Sequence, residues 1–340
     1  MSILVNVALL SRWHVHADDY ARQANQNNNL SIQLVWDEQA ERGRKWADEL
    51  GVAFESKLEN VLENPAIDAV IVGTPTNLHK EVIMQAAKNK KHIFTEKVLA
   101  FTVDDCQEIM TVVEESGVHL MVSLPQLTKG NYLYAQQTVN QGLLGQITMV
   151  RCRKAHNGAV PQEGKPNGWL PDHFFDREAC GGGSLIDLGA HPIYLTNRLA
   201  GPAISLSARL QTTSEKYEVD DNAVVMVEYE SGALGVIESG FLSHGSPFQL
   251  ELYGTEGTLL IEANQIRLNS KQTGKDWVVP ENVPEALPMP MEQWVNMMTD
   301  NQEPTITKDD VFNLTLINQA ALLSNQQEKT VYLTELMGGK

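Results

Sequence analysis

The first 120 residues alternate continuous apolar runs with stretches of helical periodicity. The run over residues 3–10 is apolar except for Asn6, as expected of a strand covered on both faces. Two helical stretches stop at Gly51 and Gly117, which are typical C-terminal signals. This alternation predicts right-handed βαβ units around a parallel sheet. The predicted strands are residues 3–10, 31–36, 69–73, 92–95 and 119–123, and the predicted helices are residues 16–27, 38–50, 58–64, 79–88 and 103–116.

The pattern changes after about residue 124, where hairpin-linked β runs become dominant. Ser231-Gly232 between two such runs predicts a tight hairpin, and several such strands predict a mostly antiparallel sheet with one helix-covered face. We therefore expect an α/β protein with domains at 1–123 and 124–340. The predicted strands are residues 146–154, 205–212, 223–230, 233–239, 249–253, 258–262 and 266–268, the predicted helices are 131–141, 183–199, 291–300 and 308–326, and residues 157–183 are predicted as a long loop.

Length, charge and cysteine content narrow the class of protein. A chain of 340 residues exceeds the roughly 250–300 residues of a usual single core, which agrees with two domains. The formal net charge of −17 disfavours nucleic acid and anionic membranes as partners. Three cysteines without CxxC spacing disfavour a disulfide scaffold or a zinc site. The first apolar run is too short to span a bilayer and lacks a signal-peptide pattern, so we expect a cytoplasmic protein.

Several segments, in order, carry a family resemblance over essentially the whole chain. They are IDAVIVGTP at 67–75 with NLH at 77–79, HIFTEK at 92–97 and GGGSLIDLGAH at 181–191, with weaker matches in VDDNA at 219–223 and YGTEG at 253–257. Together they resemble the Gfo/Idh/MocA (glucose-fructose oxidoreductase/inositol dehydrogenase) family. The resemblance implies an N-terminal Rossmann domain with a doubly wound parallel sheet, and a C-terminal α/β domain with a large open sheet for substrate binding and oligomerisation.

The resemblance also implies hydride transfer between NAD and a sugar, polyol or related secondary alcohol or carbonyl. Lys97 would bond the substrate hydroxyl or the nicotinamide ribose and stabilise a developing alkoxide. His191 would be the general acid/base, because histidine titrates near neutrality without perturbation. Asp187, four residues before His191, would share one face of a helix with it and orient it.

The glycine-rich turn of a dinucleotide-binding domain is missing. Ala8, Leu10 and Trp13 stand where the resemblance places three glycines. We expect the pyrophosphate to lie further out, near the start of the following helix, whose positive end favours an anion. Ser11 and Arg12 would supply a hydroxyl and a charge there, beside Trp13. A smaller departure is Val98, which replaces the proline that usually follows Glu-Lys in the family.

Further residues are expected to border the cofactor. Asp37 ends the second predicted strand, close to the spacing at which a dinucleotide fold places an acid that accepts from the adenosine ribose. This carboxylate predicts a preference for NAD over NADP, whose extra phosphate it would repel. Thr74, Pro75 and His79, together with Glu96, complete the predicted cofactor site, although a turn and a helix start explain the first three nearly as well.

The predicted loop before the triple glycine supplies candidates for substrate contacts, although plain loop structure explains each about as well. His14 and His16 have HxH spacing, but the sequence places no acidic or cysteine partner nearby, which disfavours a metal site. The candidate substrate contacts are His156, Asn157, Trp169, His173 and Asp176.

Two other functions are compatible with the sequence. The missing glycines allow a non-catalytic sensor or partner subunit with the same fold, although Lys97, Asp187 and His191 argue against it. An enzyme that uses bound NAD for internal redox cycling, in elimination or glycosidic cleavage, is a third hypothesis. Apolar residues on both faces of strands such as 223–230 predict a homodimer or homotetramer.

Overall fold

Six short apolar segments pair in parallel in the first half of the chain. The structure, a computed structural model, describes residues 3–274 and 276–337. The sheet order β3-β2-β1-β4-β5-β6 reverses direction between β1 and β4, which is the Rossmann arrangement and confirms the predicted parallel sheet. The strands are β1 (Val5–Leu10), β2 (Leu30–Trp36), β3 (Ala53–Phe54), β4 (Ala69–Val72), β5 (His92–Thr95) and β6 (Leu120–Val122).

Helices connect these strands, and their ends follow local sequence signals. Gly51 and Gly117 adopt left-handed conformations, with φ of 70° and 67°, and end two of the helices as predicted. The Thr102 side chain accepts a hydrogen bond from the Asp105 amide and starts another. The helices are α1 (Ala17–Gln26), α2 (Ala40–Leu50), α3 (Leu58–Glu63), α4 (His79–Lys88) and α5 (Val103–Ser116).

The second half of the chain forms an eight-stranded sheet in the order β13-β12-β11-β7-β10-β9-β8-β14. Among the described strands of this sheet, only β7 and β10 pair in parallel, so the sheet is mostly antiparallel, as predicted. The strands are β7 (Ile147–Ala155), β8 (Ala203–Gln211), β9 (Asn222–Tyr229), β10 (Leu234–Gly240), β11 (Gln249–Gly254), β12 (Gly257–Glu262), β13 (Gln265–Ser270) and β14 (Val331–Tyr332).

The helix α8 (Ala190–Ala200) covers the centre of this sheet. It packs on β7 and β10, and its buried residues include Ile193, Tyr194 and Leu195. The helices of the second half are α6 (Gly130–Asn140), α7 (Arg177–Cys180), α8 (Ala190–Ala200), α9 (Pro290–Thr299) and α10 (Lys308–Gln327). None of the helices in the described ranges is long and apolar enough to cross a membrane.

The predicted helix over residues 183–199 is present as a continuous helical segment over 184–200, but it is not α-helical throughout. Leu185–Gly189 forms a π-helical turn, and α8 begins only at Ala190. Pro192 gives the physical reason, because it cannot donate a backbone hydrogen bond to the carbonyl four residues before it and its ring crowds that carbonyl. Asp187 therefore lies in the π turn and His191 in the first turn of α8.

The chain divides into two units, residues 1–125 with 288–308 and residues 126–287 with 309–340. The first unit therefore includes α9, a segment that the sequence assigned to the second domain. Its Trp294 is fully buried and packs on Phe94 of β5, with ring centroids 5.7 Å apart. The hydrophobic pattern of α9 predicts a helix with one buried face, but it does not indicate which of the two units that face packs on.

Candidate active site

A buried carboxylate, Glu96, follows β5 at the carboxyl edge of the six-stranded sheet. It accepts a hydrogen bond from the hydroxyl of Tyr20 on α1 and another from the Lys97 amide at 3.0 Å. His14 Nδ1 lies 3.7 Å from Glu96 Oε1. Burial opposes ionisation of this carboxyl, but the positive charges of His14, His16 and Lys97 outweigh burial and lower its pKa. Glu96 is therefore an anion at neutral pH.

Lys97 lies next to this anion and is 8% exposed. Open α/β sheets bind ligands outside the carboxyl ends of their strands, so Lys97 lies at the ligand-binding edge of this unit. The buried His79 holds the loop that carries Lys97. Its Nδ1 donates to the carbonyl oxygens of Val98 at 3.1 Å and Leu99 at 3.2 Å. Burial lowers the pKa of His79, so its ring is neutral with the proton on Nδ1.

The turn between β1 and α1 is compact despite its missing glycines. Ser11 adopts a left-handed φ of 75°, and its hydroxyl accepts from the Trp13 amide at 3.1 Å and from Arg42 Nη2 at 3.3 Å. Gly73 follows β4 and lies against this turn, because a Cβ there would be 2.7 Å from the Ser11 carbonyl oxygen. The backbone of Gly73 therefore comes so close to the turn after β1 that only a glycine fits, and this glycine lies in the loop after β4 and not in the turn itself.

The side chain of Arg12 already has partners within the unit. Its guanidinium donates to Asp18 at 2.9 and 3.0 Å and to Glu49 at 2.7 Å. The side chain is 25% exposed, so these ion pairs are only partly screened by water. A phosphate that bound Arg12 would have to replace or share these two carboxylates.

Asp37, the acid predicted to contact the ribose, lies directly after β2 and is held by protein donors. Its Oδ1 accepts from the Gln39 amide at 2.7 Å and Arg42 Nη2 at 2.8 Å, and its Oδ2 accepts from the Arg12 amide and Arg42 Nε, both at 2.9 Å. A carboxylate has about four lone-pair positions, so protein donors take all of them. The side chain is also fully buried. Asp37 therefore joins the turn after β1 to the start of α2.

The carboxyl edge has features that fit a dinucleotide. Thr74 Oγ1 and Thr95 Oγ1 are buried and have no hydrogen-bond partner among the described residues. Buried polar atoms normally have partners, so a polar ligand would satisfy these hydroxyls. The N-cap residue of α1, His16, provides no side-chain acceptor, which leaves the start of that helix open to an anion. Pro75 is buried beside Thr74 and shapes the same loop.

The second unit carries Asp187 and His191, both half-buried. His191 Nδ1 lies 2.6 Å from the hydroxyl oxygen of the buried Tyr194, one turn further along α8. This hydrogen bond fixes the orientation of the imidazole. The Asp187 amide donates to the Gly183 carbonyl at 3.1 Å, which closes the turn before the π-helical segment.

Three of the predicted substrate contacts come together in this unit. His156 stacks on Phe241 with ring centroids 5.3 Å apart and lies 4.7 Å from the ring of Trp169, which donates from Nε1 to Asn157 Oδ1 at 3.3 Å. Burial lowers the pKa of His156, and the negative charge of Asp187 partly offsets this. Asp187 is therefore an electrostatic neighbour of His156. Trp169 is 44% exposed and offers an aromatic surface.

The other two predicted contacts lie on short helical turns within the region predicted as loop. Asp176 is the N-cap of α7 and accepts from the Glu178 amide at 2.9 Å and the Ala179 amide at 3.2 Å. The His173 carbonyl accepts from Cys180 Sγ at 3.3 Å. Asp176 thus has a local structural role that the sequence did not predict.

Four residues with evident roles were missed at the sequence level: Tyr20, Arg42, Tyr194 and Asp220. Tyr194 is three residues after His191, so helical spacing could have indicated it. Asp220 lies in the weakly matching VDDNA segment, and its carboxylate bonds to residues 183–185. Tyr20 contacts Glu96, which lies 76 residues further along the chain, and no local spacing predicts that pair. Arg42 is only five residues beyond Asp37, so local spacing could have indicated it.

Two sequence models of one family match most of the chain. The model described as an oxidoreductase family with an NAD-binding Rossmann fold matches residues 14–124, and the model of the GFO/IDH/MocA C-terminal domain matches residues 132–260. Both fall on the units described above and confirm the resemblance found in the sequence.

Characterised proteins with related sequences include dehydrogenases and a hydratase. The chain is 28% identical over 283 residues to a scyllo-inositol 2-dehydrogenase (NAD(+)) of Bacillus subtilis, covering 79% of each protein. It is 27% identical over 252 residues to a 2,7-anhydro-N-acetylneuraminate hydratase of Escherichia coli. That match covers 73% of this chain and 65% of the hydratase, so the chain spans just under two thirds of that relative's length.

Solved structures share the fold over nearly the whole chain. A levoglucosan dehydrogenase in complex with NADH and levoglucosan superimposes with a TM-score of 0.84 at 20% identity, covering 97% of this chain and 99% of that one. An aldose-aldose oxidoreductase from Caulobacter crescentus, complexed with glycerol, gives a TM-score of 0.81 at 20% identity, with 97% and 99% coverage. At this identity the likeness shows the fold alone.

Proposed function

The chain belongs to the GFO/IDH/MocA family of oxidoreductases with an NAD-binding Rossmann fold, and we propose that it transfers a hydride between a nicotinamide cofactor and a sugar, polyol or related secondary alcohol. The observation that carries this proposal is Lys97. Its side chain is buried beside the anion Glu96 at the carboxyl edge of the parallel sheet. A buried ammonium group in that position has a chemical use, because it can stabilise an alkoxide.

The proposed reaction oxidises a CH–OH group to a carbonyl. The carbon loses a hydride and the hydroxyl loses a proton, and nicotinamide, when bound, supplies the hydride acceptor. Lys97 donates a hydrogen bond to the substrate oxygen and stabilises its negative charge as the proton leaves. Glu96 and His79 support Lys97 from the two sides of its loop, one by charge and one by hydrogen bonds to the backbone.

His191 is proposed to take the hydroxyl proton. The Tyr194 hydroxyl holds one ring nitrogen, and a histidine fixed in this way can exchange a proton through the other. Asp187 supplies negative charge in the same unit, and a negative charge nearby favours the protonated form of an imidazole. The cluster of His156, Asn157 and Trp169 is proposed to contact the substrate, since an exposed indole with adjacent hydrogen-bonding groups suits a sugar ring.

NAD is proposed as the preferred cofactor, with NADP disfavoured by charge. Near the ends of β1 and β2, the two arginines are each paired with two carboxylates: Arg12 with Asp18 and Glu49, and Arg42 with Asp37 and Glu38. Lys45 also pairs with Glu49, at 4.0 Å, so the cluster has a net charge of −1, from four acids and three bases. An additional phosphate would be repelled by this cluster unless an arginine exchanged its partners.

Assembly and location are also proposals. The exposed residues Val224 and Met226 of β9 and Leu234 of β10 are apolar and share one sheet face with Glu228 and Glu238, and this apolar surface supports a homodimer or homotetramer. The three cysteines are free thiols, which supports a reducing compartment such as the cytoplasm.

A second candidate function is internal redox cycling, in which bound cofactor is oxidised and reduced within one turnover. The observation that favours it is the relative named as a hydratase, because adding water to a substrate involves no net oxidation. Such an enzyme would convert its substrate without forming reduced cofactor in solution.

The proposal is tested by incubating the purified protein with NAD or NADP and a panel of inositols, aldoses and anhydrosugars. Formation of reduced cofactor is followed by absorbance, and substrate loss by mass spectrometry. We expect at least one polyol or sugar to yield reduced NAD together with its carbonyl product. Substrate loss without reduced cofactor would instead support internal cycling. If native mass spectrometry finds no bound dinucleotide and no compound is turned over, the result would contradict the proposal and favour a non-catalytic sensor or partner subunit.

A further inference from the structure

Asp220 is buried at the start of the segment that carries Asp187 and His191. Its Oδ1 accepts from the Gly183 amide at 2.9 Å, and its Oδ2 accepts from the Leu185 amide at 2.8 Å and the Ser184 hydroxyl at 3.0 Å. Asp220 is only 9% exposed. Its backbone carbonyl also accepts from the Ser184 amide at 2.7 Å. One residue thus makes four hydrogen bonds to three consecutive residues of this segment.

The backbone contact explains one of the three adjacent glycines. A Cβ on Gly183 would lie 1.9 Å from the Asp220 carbonyl oxygen, so no side chain fits there. Gly182 is different, because its nearest neighbour would be 3.4 Å away. The triple glycine and the VDDNA segment, which the sequence presents as separate motifs, therefore meet at Gly183 and Asp220.

The charge of Asp220 suits this position. The first amides of a helical segment have no acceptor within that segment, and they carry a partial positive charge that stabilises an anion. Burial raises the pKa of Asp220, and the hydrogen bonds from Leu185, Gly183 and Ser184 partly offset this. The ionised carboxylate is thus held by these donors. An asparagine in its place would have to turn its side-chain NH₂ group toward at least one of the same donors.

We propose that Asp220 is a positioning residue, whose carboxylate fixes the start of the π-helical turn and thereby the orientation of Asp187 and His191. Asp187 is two residues beyond Leu185, and its amide donates to Gly183, which Asp220 holds. The chain then continues directly into α8 with His191 in its first turn. The catalytic consequence rests on the function proposed above, whereas the effect on His191 does not.

Asp221 provides a matched control. It is the next residue and is fully buried, but its Oδ2 accepts from Thr213, Ser214 and Tyr217 and not from the helical segment. Asp220→Asn and Asp221→Asn therefore remove the same charge from neighbouring positions, and both should destabilise the fold. Ser184→Ala removes the hydroxyl contact with Asp220 and a longer one at 3.4 Å from the Ser239 hydroxyl, and it provides a milder variant if Asp220→Asn does not fold.

The experiment measures the imidazole pKa of His191 by NMR on the full chain with isotope-labelled histidine, assigned with His191→Gln. Asp220→Asn should shift this pKa by about half a unit or more, the change expected when a nearby group moves or changes its charge by a modest amount. In Asp221→Asn the shift should be smaller. In Ser184→Ala the shift should have the same sign as in Asp220→Asn. Equal shifts in the two Asn variants, or none in Asp220→Asn and Ser184→Ala, would overturn the proposal.

Kinetics provide the second measurement. Loss of an orienting partner commonly lowers activity about 10–100-fold, so kcat should fall by this factor in Asp220→Asn while KM for the cofactor changes little. Asp221→Asn should retain kcat within a few-fold. If His191→Ala keeps full turnover, the proposed function fails, and the NMR result still decides the role of Asp220.

Discussion

Arg42 holds the carboxylate of Asp37 with two hydrogen bonds, from Nε at 2.9 Å and from Nη2 at 2.8 Å. The same guanidinium contacts Glu38 at 2.6 Å. An acid after the second strand and an arginine nearby are the usual determinants of the choice between NAD and NADP. Here the two determinants neutralise each other, so the choice depends on the charge that remains around them.

The first prediction concerns this choice. NAD should bind at least about tenfold more tightly than NADP, which corresponds to about 1.4 kcal/mol. Glu38→Gln removes one negative charge beside Arg42 and should strengthen NADP binding several-fold while leaving NAD binding nearly unchanged. Glu41→Gln is the matched control, because Glu41 is an exposed acid on the first turn of α2, and this substitution should change neither affinity. Titration calorimetry with each oxidised cofactor measures all three proteins.

Tighter binding of NADP than of NAD by the wild-type protein would contradict this account. It would mean that Arg42 leaves Asp37 and Glu38 to meet the additional phosphate.

The second prediction concerns the stability contributed by His79. Burial lowers its pKa in the folded state below 6.5, so the unfolded chain binds more protons as the pH falls through that value. The free energy of unfolding should therefore decrease below about pH 6.5, by up to about 1.4 kcal/mol per pH unit, until the folded-state pKa is reached. Asn at this position can still donate to the Val98 carbonyl but does not titrate.

Urea denaturation of His79→Asn across about pH 5 to 8 measures this contribution, with the exposed His244→Asn as control. Relative to wild type, the His79 variant should lose part of the decrease in stability at low pH, and the His244 variant should lose little. Parallel pH profiles for wild type and His79→Asn would show that His79 is not held neutral by burial.

Much of the first unit could be predicted from the sequence because its signals are local. The predicted bounds of α4, α5 and β5 agree with the structure, since apolar runs end at polar residues and Gly117 stops α5. The two-residue strands β3 and β14 were missed, because two residues show no periodicity. Several other predicted strands and helices begin or end one or two residues away from the observed bounds, because the periodicity is equally weak at the ends of an element.

The candidate site was harder to predict, because its geometry depends on contacts between distant parts of the chain. Asp220 lies 37 residues from Gly183, and Tyr20 lies 76 residues from Glu96. The sequence identified Asp37 correctly as the acid after β2, but it could not show that Arg42 saturates its oxygens. The widening of the turn that contains Asp187 follows from Pro192, a local signal that helical periodicity obscured.

The third prediction concerns assembly. Met226 is 61% exposed in the middle of β9, and Val224 and Leu234 extend the same apolar face. A charge at the centre of such a face opposes its burial, so Met226→Glu should convert a dimer or tetramer into smaller species. Light scattering on eluted fractions at micromolar concentration measures the mass, and Lys45→Glu, on the exposed surface of α2, is the control. A monomeric wild-type protein would contradict the prediction.

Lys97 is the residue on which the proposed hydride transfer depends, and the turnover of Lys97→Met tests this dependence. Once a substrate is found, kcat should fall about 10²–10⁴-fold, because the group that stabilises the developing alkoxide is lost. Thermal unfolding and the affinity for NAD should remain close to wild type, and His191→Ala should show the same separation of turnover from binding. A folded Lys97→Met variant that turns over substrate at nearly the wild-type rate would contradict the account.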